Sequence, residues 1–224
     1  MRAPLAIAAG AAATWSLPAP AAHVPPLAHA LGIATTLVPP GPHLTFDDGP
    51  HPRGTPAVLE ILAGAGVQAT FFLVGEQVER DPTLAGEIVA AGHGVGLHCH
   101  RHRNLLRVGP RGVREDIARA EERIAGATGR AVALYRPPYG ILSACALAQA
   151  HRRGWRTLLW THWGRDWEPR ATAQSISARA TEAAGPGSVL LLHDADDYST
   201  PGSWRATVAA LPAVLEAMAA VSGR

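Results

Sequence analysis

The alternation of short β-rich runs with helical patterns constrains this chain more than any other feature. Strand candidates fall at 43–46, 69–74, 94–98, 131–136, 157–160 and 188–193. Helical spacing is found between them at 55–65, 83–91, 110–128, 142–153 and 172–183, and 203–219 closes the chain. Such alternation calls for parallel strands joined by right-handed crossovers, so the fold class is α/β, as a doubly wound sheet or a barrel. The unbroken run Leu190-Leu191-Leu192 suits a strand covered on both faces. Chemically capable residues gather at the ends of these runs: Asp47 and Asp48, His98, Arg136, His193 and Asp194. Parallel α/β folds place ligand and catalytic groups at the C-terminal ends of their strands.

The 224 residues fit one large domain better than two small ones. A net charge of +2 is far from the clustered excess of a nucleic-acid binder, so no nucleic-acid partner is expected. Cys99 and Cys145 match no zinc knuckle or redox pair. Residues 1–22 carry Arg2, an apolar run over 5–13 and the small-residue exit Ala19-Pro20-Ala21, the layout of a secretory signal peptide. An uncleaved anchor touching the membrane, or an Ala-rich helix packed on the domain, are the alternatives. No later segment reads as long and apolar enough to cross a bilayer, which takes roughly 20 residues. Residues 23–42 are proline-rich and read as a linker into a catalytic domain over 43–224. The expected location is secreted or cell-envelope associated. Nothing in the sequence specifies an oligomeric state.

Thr45-Phe46-Asp47-Asp48-Gly49-Pro50 sets two adjacent carboxylates at a strand end. Two such groups in a low-dielectric site call for a metal or cation nearby; otherwise the segment is a surface turn. In His98-Cys99-His100-Arg101-His102, His98 and His102 would share one face of a helical turn and could share a metal. On an extended strand all three imidazoles would line one side instead. Arg136, ahead of Pro137 and Pro138, can clamp a carboxylate and keep it ionised. Trp160, Trp163 and Trp167 surround Asp166, as sugar platforms or as a core cluster. His193 ends a buried strand, where a lone histidine is most often a satisfied core residue.

Taken in order, these segments resemble the polysaccharide deacetylase family, the NodB-homology domain or carbohydrate esterase family four. TFDDGP, HCHRH, RPPYG, GRDW and LLLH match its five motifs from His43 onward, about four-fifths of the chain. The resemblance implies a distorted (β/α) barrel and a metal-dependent hydrolase that removes acetyl groups from an amino-sugar polymer such as peptidoglycan or chitin oligomers. It implies Asp48, His98 and His102 as ligands of a divalent metal, Zn²⁺ first and Co²⁺ as an alternative. It makes Asp47 the general base, Arg136 its orienting partner, His193 the general acid and Asp166 the partner of His193. The Tyr139 backbone N–H would stabilise the oxyanion. Trp167 and Leu190 would line the acetyl pocket, with Pro137 and Trp163 also counted as substrate-binding. The chain departs from the family pattern at Cys99, where Ser or Thr is usual, at Trp163, where an acid is common, and at the extra imidazole of His100.

Two rival readings differ in class. His98-Cys99-His100 imitates the His-x-His of amidohydrolases and phosphoesterases, although there it usually opens the first strand. A non-catalytic carbohydrate-binding module would keep the tryptophans, but it would not need Asp47, Asp48, His98, His102 and His193 all retained.

Overall fold

The computed structural model describes residues 14–38 and 41–223. Its centre is an eight-stranded, all-parallel sheet of β1 (Ile33–Ala34), β2 (His43–Asp47), β3 (Thr70–Leu73), β4 (Gly94–Leu97), β5 (Leu134–Tyr135), β6 (Arg156–Leu158), β7 (His162–Trp163) and β8 (Val189–His193). The strand order is β1-β6-β5-β4-β3-β2-β8-β7. Beyond β1, Thr36 bridges to Ser188 just ahead of β8, and Leu37 N–H donates to Gly187 O at 3.0 Å. The sheet therefore curls until its far edge reaches β8, which is the distorted (β/α) barrel the motifs implied.

The helices follow from local sequence. The helix α6 (Pro110–Thr128) starts on a proline, whose missing N–H costs nothing in a first turn, and ends at Gly129 with φ +65°. Its buried residues Val113, Ile117, Ala120 and Ile124 recur at helical spacing and form one apolar stripe. Asp116 lies on that stripe and is buried with it. The crossovers are completed by α3 (Gly54–Ala65), α4 (Gly75–Arg80), α5 (Pro82–Ala90), α7 (Ala144–Arg152) and α8 (Ala173–Thr181), and α9 (Trp204–Ser222) follows the last strand. Asp81 separates α4 from α5 by accepting the Leu84 N–H at 3.0 Å, an N-cap.

Several expectations need correction. The stretch 23–42 is no free linker: α2 (Pro25–Ala30) opens on two prolines, and β1 pairs with β6 through Ile33 and Thr157. The prolines there start a helix instead of keeping the chain loose. The strand expected at 131–136 contracts to two residues, while β1, β7 and α4 are too short to leave a periodic signal. By length and composition α9 could also cross a membrane, contrary to expectation. Here it is the last helix of the domain, with Ala210, Leu211 and Val214 buried. The apolar run 5–13 lies outside the described residues. Beyond it, Ala21 and Ala22 are buried, in and just after α1 (Pro18–Ala21). Cys99 and Cys145 are both free thiols.

Candidate active site

The C-terminal ends of β2, β4, β5 and β8 converge on one cavity of about 220 Å³. Asp47, Asp48, His98, His102 and His193 line one part of it; Tyr139, Trp160, Trp163, Trp167 and Leu191 line much of the rest. Backbone geometry re-aims the chain at the strand ends. Asp48, Cys99, Tyr139 and Arg165 have φ of 79°, 65°, 59° and 52°, the left-handed region that non-glycine residues avoid. Such strain persists where the surroundings over-determine it, and here each residue belongs to one of the recognised segments. Gly49 is also required: a Cβ there would meet the Asp194 carboxylate at 2.5 Å.

His98 and His102 occupy neither a helical turn nor a strand. His98 follows β4, and the left-handed Cys99 turns the chain into a loop that returns His102 to the same side. The loop is held from several directions. The Asp116 carboxylate accepts His100 N–H at 2.7 Å and Arg103 Nη2 at 2.6 Å, while Gly75 N–H and Glu76 N–H donate to Cys99 O and His100 O, each at 2.9 Å. His100 does not line the cavity, and its Nε2 faces Glu79 at 3.8 Å. Burial raises the Cys99 thiol above its usual range, so it is a packed thiol and not a thiolate ligand.

The His98 Nδ1 hydrogen bonds to Arg136 O at 2.8 Å. A carbonyl can only accept, so the proton sits on Nδ1 and the Nε2 lone pair faces inward. Burial lowers the pKa of both His98 and His102 to about 3, so both imidazoles are neutral donors. Asp48 Oδ1 lies 3.5 Å from His98 Nε2 and 3.3 Å from His102 Nε2. It is buried and has no hydrogen-bond partner among the described residues. A carboxylate oxygen facing the His98 lone pair, with a second neutral imidazole nitrogen beside it, is an electrostatic mismatch that a cation resolves, so this donor set fits a divalent metal. Burial, opposed by His193 and reinforced by Asp47, pushes the Asp48 carboxyl up to about 7 when no cation is present.

Arg136 is fully buried beneath the cavity. Its Nη1 donates to Asp47 Oδ1 at 2.7 Å and to Thr45 Oγ1 at 2.9 Å. Its Nε and Nη2 donate to the Leu158 and Leu159 carbonyls, and the guanidinium stacks 3.9 Å from the Phe72 ring centroid. Burial raises the pKa of Asp47, and the adjacent Arg136 opposes that rise. Asp166 accepts His193 Nδ1 at 2.8 Å, His193 N–H at 2.7 Å and Thr207 Oγ1 at 2.8 Å. Burial alone would lower the His193 pKa; the Asp166 carboxylate, helped by Asp48 and Asp47, outweighs it and holds it at about 10. The imidazole is therefore cationic at neutral pH.

A family profile described as polysaccharide deacetylase matches residues 39–158, and a chitooligosaccharide deacetylase of Sinorhizobium fredii is 38% identical over 80% of this chain and 86% of its own length. This chain belongs to the polysaccharide deacetylase family. A peptidoglycan-N-acetylglucosamine deacetylase of Bacillus cereus is 36% identical over 71% of this chain and 56% of its own. The family 4 carbohydrate esterase of Streptomyces lividans, solved with acetate, superposes with a TM-score of 0.72 at 30% identity, covering 84% of this chain and 91% of that one. The likeness thus extends through both sequence and fold.

As a polysaccharide deacetylase, the chain brings most of the expected site residues together. Two positions differ. Leu190 is buried in the core, paired with Leu44 of β2 and His162 of β7, and it is Leu191, one residue on, that faces the cavity. Pro137 is buried under the turn, and its carbonyl accepts Gly140 N–H at 3.0 Å. Sequence reasoning missed Tyr198 and Ser199, which come from the loop after β8. No periodicity marks that loop. Asp116 could have been found, since an acid on an apolar helical stripe is a buried acid awaiting partners.

Proposed function

We propose that this polysaccharide deacetylase hydrolyses the N-acetyl groups of an amino-sugar polymer, with Asp48, His98 and His102 holding a zinc ion. The observation that carries the reading is a pair of proton carriers with opposite partners, Asp47 on Arg136 and His193 on Asp166, held side by side at the ends of β2 and β8 in one cavity that also contains the donor set. The named relatives act on chitooligosaccharide and peptidoglycan, and both substrates contain this amide. A volume of about 220 Å³ is below the roughly 300–1,000 Å³ of pockets that enclose a drug-sized ligand, so it suits an acetamide end with the polymer outside.

Bound zinc would polarise the acetyl carbonyl and acidify the attacking water, bringing its pKa from about 16 toward about 7. Asp47 takes the proton from that water, with its carboxylate fixed by Arg136. With Nδ1 on Asp166, His193 directs its Nε2–H toward the cavity and delivers that proton to the leaving nitrogen. The C–N bond breaks to release acetate and a free amine. The backbone N–H of Tyr139 is assigned to the developing oxyanion, and Trp160, Trp167 and Leu191 enclose the methyl group. The exposed Trp163 offers an indole face at the rim for a neighbouring sugar.

Export to the cell envelope belongs to the same proposal, supported by the charge, apolar run and small-residue pattern of residues 1–22. Burial of Ala21 and Ala22 favours retention of the segment over its cleavage. Cell fractionation tests this directly, and cytosolic accumulation would remove it.

The deciding assay measures acetate released from acetylated chitooligosaccharides and from peptidoglycan by metal-stripped protein, with and without Zn²⁺ or Co²⁺. Restored release that Asp48→Ala and His193→Ala both abolish is expected. Metal-independent release, or none from either substrate, would overturn the reading.

A further inference from the structure

His102 differs from His98 in how it is held. A metal-ligating histidine ordinarily fixes its ring by giving the other nitrogen to a carboxylate or carbonyl. His98 does this through Arg136 O. The buried Nδ1 of His102 has no hydrogen-bond partner among the described residues. Its ring lies between two phenols instead: Tyr198 is stacked on it at 4.5 Å with an interplanar angle of 16°, and Tyr139 meets it edge-on at 4.4 Å.

Tyr198 is itself fastened. Its hydroxyl donates to Glu76 Oε1 at 2.6 Å and accepts from Gln77 Nε2 at 3.1 Å. Both partners sit in the first turn of α4, whose Gly75 and Glu76 N–H groups hold Cys99 O and His100 O of the ligand loop. One turn of helix thus fixes the loop by its backbone and the stacking ring by its side chains. The neighbouring Asp197 adds a 3.1 Å ion pair to Arg80 of the same helix. Another imidazole–carboxylate group, His51 with Asp196 and Asp197, is a weaker candidate for a role in binding. His51 Nδ1 accepts Gly54 N–H at 2.9 Å, so its Nε2 carries the proton given to Asp196 at 3.2 Å and has no lone pair for a metal.

We propose that Tyr198 is the positioning residue for His102, replacing the missing hydrogen bond by ring stacking that Glu76 and Gln77 lock in place. The inference rests on Asp48, His98 and His102 being the metal ligands. Misplacement of an orienting partner typically costs about 10–100-fold in metal affinity, and Tyr198 acts as such a partner through its face.

The test measures Zn²⁺ affinity by competition with a chromophoric chelator, and the visible absorption of the Co²⁺-loaded full chain. Tyr198→Leu is expected to weaken Zn²⁺ binding about tenfold and to alter the cobalt bands. Tyr198→Phe keeps the ring but loses both hydroxyl hydrogen bonds, and should fall between the parent and Tyr198→Leu in affinity and bands. The double variant Glu76→Ala/Gln77→Ala removes the same two bonds from the other side and should match Tyr198→Phe; it decides the matter if Tyr198→Leu does not fold. Parental affinity and spectrum in Tyr198→Leu, or in the double variant where that one is unfolded, would overturn the proposal while leaving the metal site intact. Failure of the parent chain to bind either ion would overturn the metal assignment itself.

Discussion

His193 and Asp166 are joined twice: Asp166 Oδ1 takes the ring Nδ1 at 2.8 Å, and Oδ2 takes the backbone N–H of the same histidine at 2.7 Å. One carboxylate therefore sets both the position of the residue and the direction of its ring. The free Nε2 is left to face the cavity as a proton donor.

Replacing Asp166 by Asn keeps the shape and removes the charge that holds the His193 pKa at about 10. Burial then dominates and the imidazole loses its proton near neutrality. Loss of a positioned general acid costs about 10²–10⁴ in kcat, and the basic limb of the pH–rate profile should move to lower pH. The pair also links stability to pH. The unfolded histidine titrates near 6.5, so the raised folded value contributes stability in full below about pH 6.5 and loses it as pH rises toward about 10. Thermal midpoints should fall over that window in the parent and fall less in Asp166→Asn. Parallel slopes would assign the pair no such role.

Arg136 is expected to matter for folding as well as for rate. Its guanidinium is buried and spent on Thr45, Asp47 and two carbonyls, so deleting it strands a buried carboxylate and two backbone acceptors. Breaking a buried pair from one side costs about 3–5 kcal/mol, and Arg136→Met should lower the denaturant midpoint accordingly. Lysine carries the charge but cannot reproduce the fork, so Arg136→Lys should recover only part of the loss. Full recovery would mean that charge alone matters.

Removal of the metal gives a third prediction. Without a cation Asp48 Oδ1 faces the His98 Nε2 lone pair at 3.5 Å, with His102 Nε2 at 3.3 Å, and Asp48 and His98 are both buried. A ligand bound only by the folded state stabilises it by about 4 kcal/mol at a thousandfold excess over Kd. Zn²⁺ should therefore raise the thermal midpoint of stripped protein by several degrees, and Asp48→Ala should abolish that rise. A midpoint insensitive to chelator and zinc would count against the site.

The chemistry of this site was more legible than its walls. Asp47, Asp48, His98, Arg136 and His193 fall at the ends of β-rich runs, and parallel topology sends strand ends to one side of the sheet. Their order along the chain was therefore enough to place them together. Leu190 and Leu191 were not separable, because a strand buried on both faces has no alternation to say which residue looks inward. The edge strand β1 was hidden by its length of two residues and by the proline-rich sequence on either side of it, Pro25-Pro26 and Pro39-Pro40. Tyr198 belongs to a loop whose course is set by contacts with α4, 122 residues away along the chain at Glu76, and local pattern cannot report a partner that distant. The helical reading of His98 to His102 failed for a related reason, since spacing of four also fits a loop turned by one left-handed residue.

Trp163 supplies the last prediction. Its indole is 43% exposed at the cavity rim, 5.8 Å from the Trp160 ring and 5.4 Å from that of Trp167, edge-on to the latter. An indole held by two others but open on one face is suited to stacking on a sugar outside the cavity, not to supporting the core. Aromatic contacts of this kind are worth about 0.5–1.5 kcal/mol beyond area burial, about two- to tenfold in affinity. Trp163→Ala should raise KM for chitooligosaccharides by that factor with little change in kcat or thermal midpoint, and the effect should shrink on a monosaccharide substrate that reaches only the cavity. Trp163→Phe should restore most of the affinity. An equal loss on both substrates would place the indole in the acetyl pocket instead of on the path of the polymer.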